Sequence, residues 1–121
     1  ALLFNDLYKD IFGVAEFDNT STICSIHFCA LAKTYEERNH IIKMLEANSI
    51  ETRPFTSGNQ GLQPYWFTRY GKFNDAMASN LYHCGFFLPN YPSLSEDDIQ
   101  YICSEVVNAV KCFRWKKEAN D

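Results

Sequence analysis

The stretch TICSIHFCALAKTYEERNHIIKMLEANSIETRPF, residues 22–55, decides the fold of this chain. It opens with alternation: Cys24, Ile26, Phe28 and Ala30 fall on one face of an extended segment, Ser25 and His27 on the other. A period of two predicts a strand over Thr22–Leu31 with one buried side. Thr34-Tyr35-Glu36-Glu37 then reads as a capping box. The Thr34 hydroxyl accepts from the backbone N–H of Glu37, whose carboxylate reaches back to the cap. The spacing beyond it predicts a helix to Ala47 that buries Ile41, Ile42 and Leu45, with Asn48 as a left-handed stop. Ile50–Phe55 follows as a short strand after a tight connection. A strand, a capped helix and a strand in so few residues make a βαβ or split-βαβ unit.

Downstream, periodicity disappears from Thr56 to Lys72, a loop containing Ser57-Gly58-Asn59, Gly61 and Gln63-Pro64-Tyr65-Trp66. A loop of that length inside a compact domain is usually functional or interfacial. A helix is expected from Phe73 to Cys84, with Gly85 to end it. Phe86-Phe87-Leu88 makes a brief strand closed by Pro89. Ser95-Glu96-Asp97-Asp98 caps a last helix whose acidic first turn suits the helix dipole. Its stripe of Ile99, Ile102, Cys103, Val106, Val107, Val110 and Phe113 must pack on a sheet, and the tail after Trp115 is expected to fray. Upstream, Leu3, Leu7, Tyr8 and Ile11 recur at helical spacing until Gly13. The sum is an α+β fold: a small, mostly antiparallel sheet with helices packed on one side.

Composition narrows the function. The 121 residues suit one domain with a single core, and the 16% aromatic content assigns much of that core or of an interface to Phe and Tyr rings. The net charge of -4 comes with scattered Lys and Arg. That argues against a nucleic-acid binder, which needs a clustered basic face. No apolar run approaches the ~20 residues that span a bilayer, and mixed charges over Ala1–Asp10 do not read as a signal peptide. Cys24, Cys29, Cys84, Cys103 and Cys112 are odd in number and never in a C-x-x-C pair, so they read as buried reduced thiols of a cytosolic protein. With His27, His40 and His83 they are too dispersed for a metal site, and none is expected.

Several short motifs resemble one family. Ile50-Glu51-Thr52-Arg53-Pro54, Ser57-Gly58-Asn59 and Gln63-Pro64 are followed by Gly85-Phe86-Phe87-Leu88-Pro89, then by Pro92, Leu94 and the acidic helix start. In that order and at those separations, over Thr22 to Val110, they look like the C-terminal half of the DegT/DnrJ/EryC1/StrS family of pyridoxal-phosphate (PLP) enzymes acting on nucleotide-linked keto-sugars. The resemblance implies that residues 1–121 form a single domain, the C-terminal small domain of a fold-type I enzyme, with 1–12 as a linking helix. It implies amino transfer from glutamate to a nucleotide sugar in lipopolysaccharide or polysaccharide synthesis, in the cytoplasm. The Gly-Asn and Gln-Pro form of the loop is closer to the branch with keto-deoxysugar 3-dehydratases, so dehydration stands beside amino transfer. PLP itself would be held by a large domain supplying the Schiff-base lysine. The implied partners are that domain, a second subunit and the nucleotide-sugar substrate, and no catalytic residue is expected in this chain.

Four residues are the substrate-binding candidates. Arg53 ends a short strand before Pro54 and the long loop, where its fork can grip phosphate or sugar oxygens; the alternative is a surface or interdomain ion pair. Asn59 and Gln63 are neutral amides suited to sugar hydroxyls, or else to satisfying a turn and capping loop backbone. Tyr65, with Trp66, can stack on a base or sugar, or form an interdomain contact. His27 reads as structural, His40 as solvated, His83 as a complement to a helix dipole, and Cys84 lacks a visible base. The rival reading is a free-standing α+β binding module of ferredoxin-like type whose aromatic loop meets a partner.

Overall fold

A computed structural model describes residues 27–55 and 58–120 of the chain. The helix expected over Leu3–Ile11, the strand residues before His27 and Cys24 lie outside the described residues. The alternation that predicted the first strand holds where it can be followed. Strand β1, Phe28–Leu31, buries Phe28 and Ala30 and exposes Cys29.

Helix α1, Tyr35–Ala47, starts where the cap requires: Thr34 is extended and its Oγ1 accepts from the Glu37 N–H at 3.2 Å. The Glu37 carboxylate does not return to the cap residue. Its Oε2 accepts from the backbone N–H of Lys33, one residue earlier, at 2.8 Å. Nor is Asn48 the left-handed stop. Its φ is -97° and Ser49 takes the positive φ of 60°, because the Asn48 amide is occupied with the Met44 carbonyl and the Glu105 carboxylate.

The expected strand over Ile50–Phe55 is shorter: β2 is Arg53–Pro54 alone, since proline has no N–H to extend a ladder. The loop expected over Thr56–Lys72 holds regular structure, a 3-10 turn at Gln60–Leu62 and helix α2 at Pro64–Tyr70. Helix α3 starts later than the pattern suggested, at Ala76, because Asp75 caps it by accepting from the Ala78 N–H at 2.7 Å; it ends at Cys84. Gly85 does close α3, but at φ -87°, so it turns straight into strand β3, Gly85–Leu88. Ser95 and Asp98 form the last capping box, each accepting from the other's N–H. Helix α4 runs Glu96–Asn120, so the expected fraying after Trp115 does not occur.

The sheet order is β1-β3-β2, with β3 antiparallel to both neighbours. Since β1 and β2 flank β3 and run the same way, β1-α1-β2 is a split βαβ unit, and the fold is α+β. One face of the sheet carries Phe28, Ala30, Phe86 and Leu88 into a core completed by Ile41 and Leu45 of α1 and by Ile102, Val106 and Val110 of α4. Each of the larger side chains contributes roughly 1.5–3 kcal/mol by leaving water. Helices α1 and α4 therefore cover one side of the sheet.

Candidate functional site: the open face of the sheet

Pairing sets the open face. Cys29 and Arg53 each lie opposite Phe87, so the three side chains form one row across all three strands, on the face away from the helices. Phe87 is its centre. The His27 ring stacks on it at 4.7 Å with 17° between planes, and the Phe55 ring lies 4.6 Å away on a tilt. Beside them is a groove of about 360 Å³ whose walls include His27, Glu51, Arg53, Phe87, Asn90 and Tyr91, within the range of small-ligand sites.

Arg53 occupies the rim of this groove. Its guanidinium pairs with Glu51, both side chains 70% exposed. An ion pair so hydrated holds its partners weakly, so the surface-pair reading is realised and the fork can still be exchanged to another oxyanion. Cys29 is exposed, against the buried thiol expected from the sequence, yet partial burial of its thiol pushes its pKa above the usual range. The Cys84 thiol is likewise pushed up, first by burial and then by Glu36.

The other three candidates lie in the segment after β2. Asn59 is buried, 3% exposed, and its Nδ2 donates towards Asn74 Oδ1 at 2.9 Å, the Asp75 carbonyl at 3.1 Å and Ser79 Oγ at 2.8 Å. To donate to a sugar oxygen Nδ2 would have to give up those partners. Gln63 is half-buried and precedes α2, but makes no side-chain cap; its carbonyl accepts from the N–H groups of Trp66 and Phe67, both at 3.0 Å. Tyr65 is 63% exposed on α2. Asn59 helps line a second groove of about 390 Å³, together with Gly61, Trp66 and Phe73. Arg53 is not in that groove, and Gln63 and Tyr65 line neither one. Arg53 and Asn59 thus line different grooves.

Around the second groove the surface is unusually apolar. Trp66, Phe67, Tyr70, Phe73, Met77 and Tyr82 are all exposed. Trp66 packs against Tyr70 at 4.9 Å, and the Arg69 guanidinium lies over the Tyr70 ring. So many rings in water on one short stretch mark a contact surface. Residues missed from the sequence are Phe87, Asn90 and Tyr91. The signal for Phe87 was present: if Phe86 faces the core, the next residue faces away.

Among the described residues, no group of three or more His, Cys, Asp or Glu side chains could hold a metal ion, and no helix is long and apolar enough to cross a membrane.

A split βαβ unit with an aromatic groove beside its sheet defines a small α+β domain. Its sequence profile places it. Residues 3–107 match the DegT/DnrJ/EryC1/StrS aminotransferase family, and the chain belongs to that family. The fold is also that of solved family members. A DegT/DnrJ/EryC1/StrS aminotransferase from Brucella abortus is 18% identical with a TM-score of 0.75, over 88% of this chain and 28% of its own. A Streptococcus pneumoniae protein assigned as a sugar aminotransferase, in its PMP form, is 16% identical with a TM-score of 0.72, over 95% and 30%. The E. coli GDP-4-keto-6-deoxy-D-mannose-3-dehydratase with bound hydrated PLP is 22% identical with a TM-score of 0.69, over 87% and 28%. The chain thus spans 28–30% of the length of these structures. No curated protein matches it.

The family name implies PLP, which such enzymes attach through a lysine. Every described lysine, Lys33, Lys43, Lys72, Lys111, Lys116 and Lys117, is exposed. A Schiff-base lysine works from dry surroundings that lower its pKa, and none of these has them. The described residues do not fit the attachment of PLP.

Proposed function

We propose that this chain is the substrate-side small domain of a PLP-dependent enzyme that transfers an amino group to a nucleotide-linked keto-sugar. The observation that carries this reading is the row Cys29–Phe87–Arg53 on the one sheet face that no helix covers, in a chain of this family. PLP, held by the remainder of a full-length protein, supplies the electron sink. The residues here bind and orient. Arg53 leaves Glu51 to fork onto phosphate or sugar oxygens, while Phe87, His27 and Tyr91 offer ring faces. Gln63 and Tyr65 approach from the neighbouring segment, and Asn59 serves it from inside. The contribution is positioning, which converts a loose encounter into an aligned one. The apolar surface of α2 and α3 docks on the large domain or a second subunit. A second reading, dehydration at the sugar, draws support from the Gly58-Asn59 and Gln63-Pro64 motif and the likeness to the E. coli dehydratase.

Calorimetry with GDP, UDP and CDP on the full-length protein tests the reading. Arg53→Ala is expected to weaken the best of the three about tenfold, in line with a lost charge-assisted bidentate contact, and Arg53→Lys to recover only part. Undiminished binding by Arg53→Ala would remove Arg53 from the site. With a nucleotide 4-keto-sugar and glutamate, the product's mass separates the two chemistries: an amino sugar, or a sugar short of one hydroxyl.

A further inference from the structure

Residues 58–75 are clasped at their two ends. Gly58 has a positive φ of 52°, and a Cβ there would run into the Tyr82 ring of α3. Three residues on, the Gly61 carbonyl accepts from the Phe73 N–H at 3.1 Å, and a Cβ on Gly61 would meet the Phe73 carbonyl. Between these two contacts sits Asn59. It begins the 3-10 turn at the position where an asparagine ordinarily caps, yet makes no cap bond. Its Nδ2 points instead at three acceptors around the first turn of α3, and Ser79 Oγ in turn donates to Asn74 Oδ1 at 2.6 Å.

We infer that Asn59 is a positioning residue, whose buried amide ties residues 58–75 to the start of α3 and so sets where α2 presents Gln63, Tyr65 and Trp66. The chemistry is specific to an amide. The site holds a carbonyl, a side-chain amide oxygen and a hydroxyl, all able to accept, so it demands a donor. Aspartate has nearly the same shape and no N–H to give; it would also bring a carboxylate against the Asp75 carbonyl and Asn74 Oδ1. The mechanical part of this inference stands on geometry alone. The part concerning substrate rests on the function proposed above.

Limited trypsin digestion of the full-length protein reads the clasp directly, since Arg69 and Lys72 are exposed cleavage points within it. Asn59→Asp and Asn59→Ala should both speed cleavage there about tenfold, the size of effect expected when a buried hydrogen-bonded anchor is lost from a local opening equilibrium. Cleavage after Lys43 and Lys111, on α1 and α4, should not change. Ser79→Ala removes one acceptor and should give a smaller increase, which keeps the test open if both Asn59 variants fail to fold. Binding of the tightest nucleoside diphosphate is then measured on the same variants, where a fall beside the faster cleavage supports the inference. Wild-type cleavage rates in the soluble variants overturn it. Faster cleavage with unchanged binding refutes only its substrate part, together with the proposed approach of Gln63 and Tyr65 to the nucleotide sugar.

Discussion

Glu37 is the residue around which the two long helices close. It is 2% exposed, and its carboxylate is divided between the Lys33 N–H and the Nε of Arg114 on α4, each at 2.8 Å. A buried charge stripped of its partner is costly, at roughly 3–5 kcal/mol, and Arg114 is partly hydrated, so the lower end applies. Glu37→Leu leaves Arg114 and the Lys33 N–H without their acceptor and is expected to lower the unfolding free energy by about 2–3 kcal/mol, read from urea melts. The capping pattern drew attention to Glu37, but its partner on α4 is 77 residues away and no local spacing predicts it. Arg53 shows the reverse: its sequence context at a strand end before proline was enough to place it on a rim, because exposure needs no partner.

At the level of elements, the packing of α1 on α4 governs the one histidine with a clear electrostatic signature. His40 is not solvated as the sequence suggested: it contacts Phe113 on α4, and its Nε2 is buried without a partner, because α4 packs over that part of α1. Burial chiefly, then Lys116 and Lys43, holds its pKa below the ordinary range, against a smaller opposing pull from the Ala109 backbone. The unfolded chain, titrating near pH 6.5, therefore binds the proton more readily than the folded one. His40 contributes stability that is fully present above about pH 6.5 and is lost as the pH falls through its lower folded value. Melting temperatures at about pH 7.5 and 5.5 should drop on acidification, and His40→Leu should flatten that drop; an equal slope in the variant would refute it. Helix α2 is the element that the apolar pattern concealed. Tyr65, Trp66, Phe67 and Tyr70 are exposed, so they show no buried stripe. What did mark it is Pro64 in the first turn and Gly71, at φ 83°, closing it, the asymmetry of helix ends.

For the whole molecule, the core faces one way and the unburied rings another. The proposed arrangement, in which the rest of a full-length protein covers α2 and α3, predicts how the 121-residue chain behaves by itself. It should bind the dye ANS through this surface, and Trp66→Ser with Tyr70→Ser should reduce the dye signal while leaving the melting temperature of the chain unchanged. In the full-length protein the same pair should lower the melting temperature; no effect there would mean that the surface is not covered. The sequence by itself determined the α+β class, a strand-helix-strand unit, the capped helices and the family, because alternation, capping and turn chemistry act over a few residues; that the unit is split was left to the tertiary structure. Only the tertiary structure decided that Arg53 stands across β3 from Cys29 with Phe87 between them, that Arg53 and Asn59 line different grooves, and that Asn59 points inward. Those facts depend on β3 entering between β1 and β2, a pairing between residues far apart in the chain that no local pattern encodes.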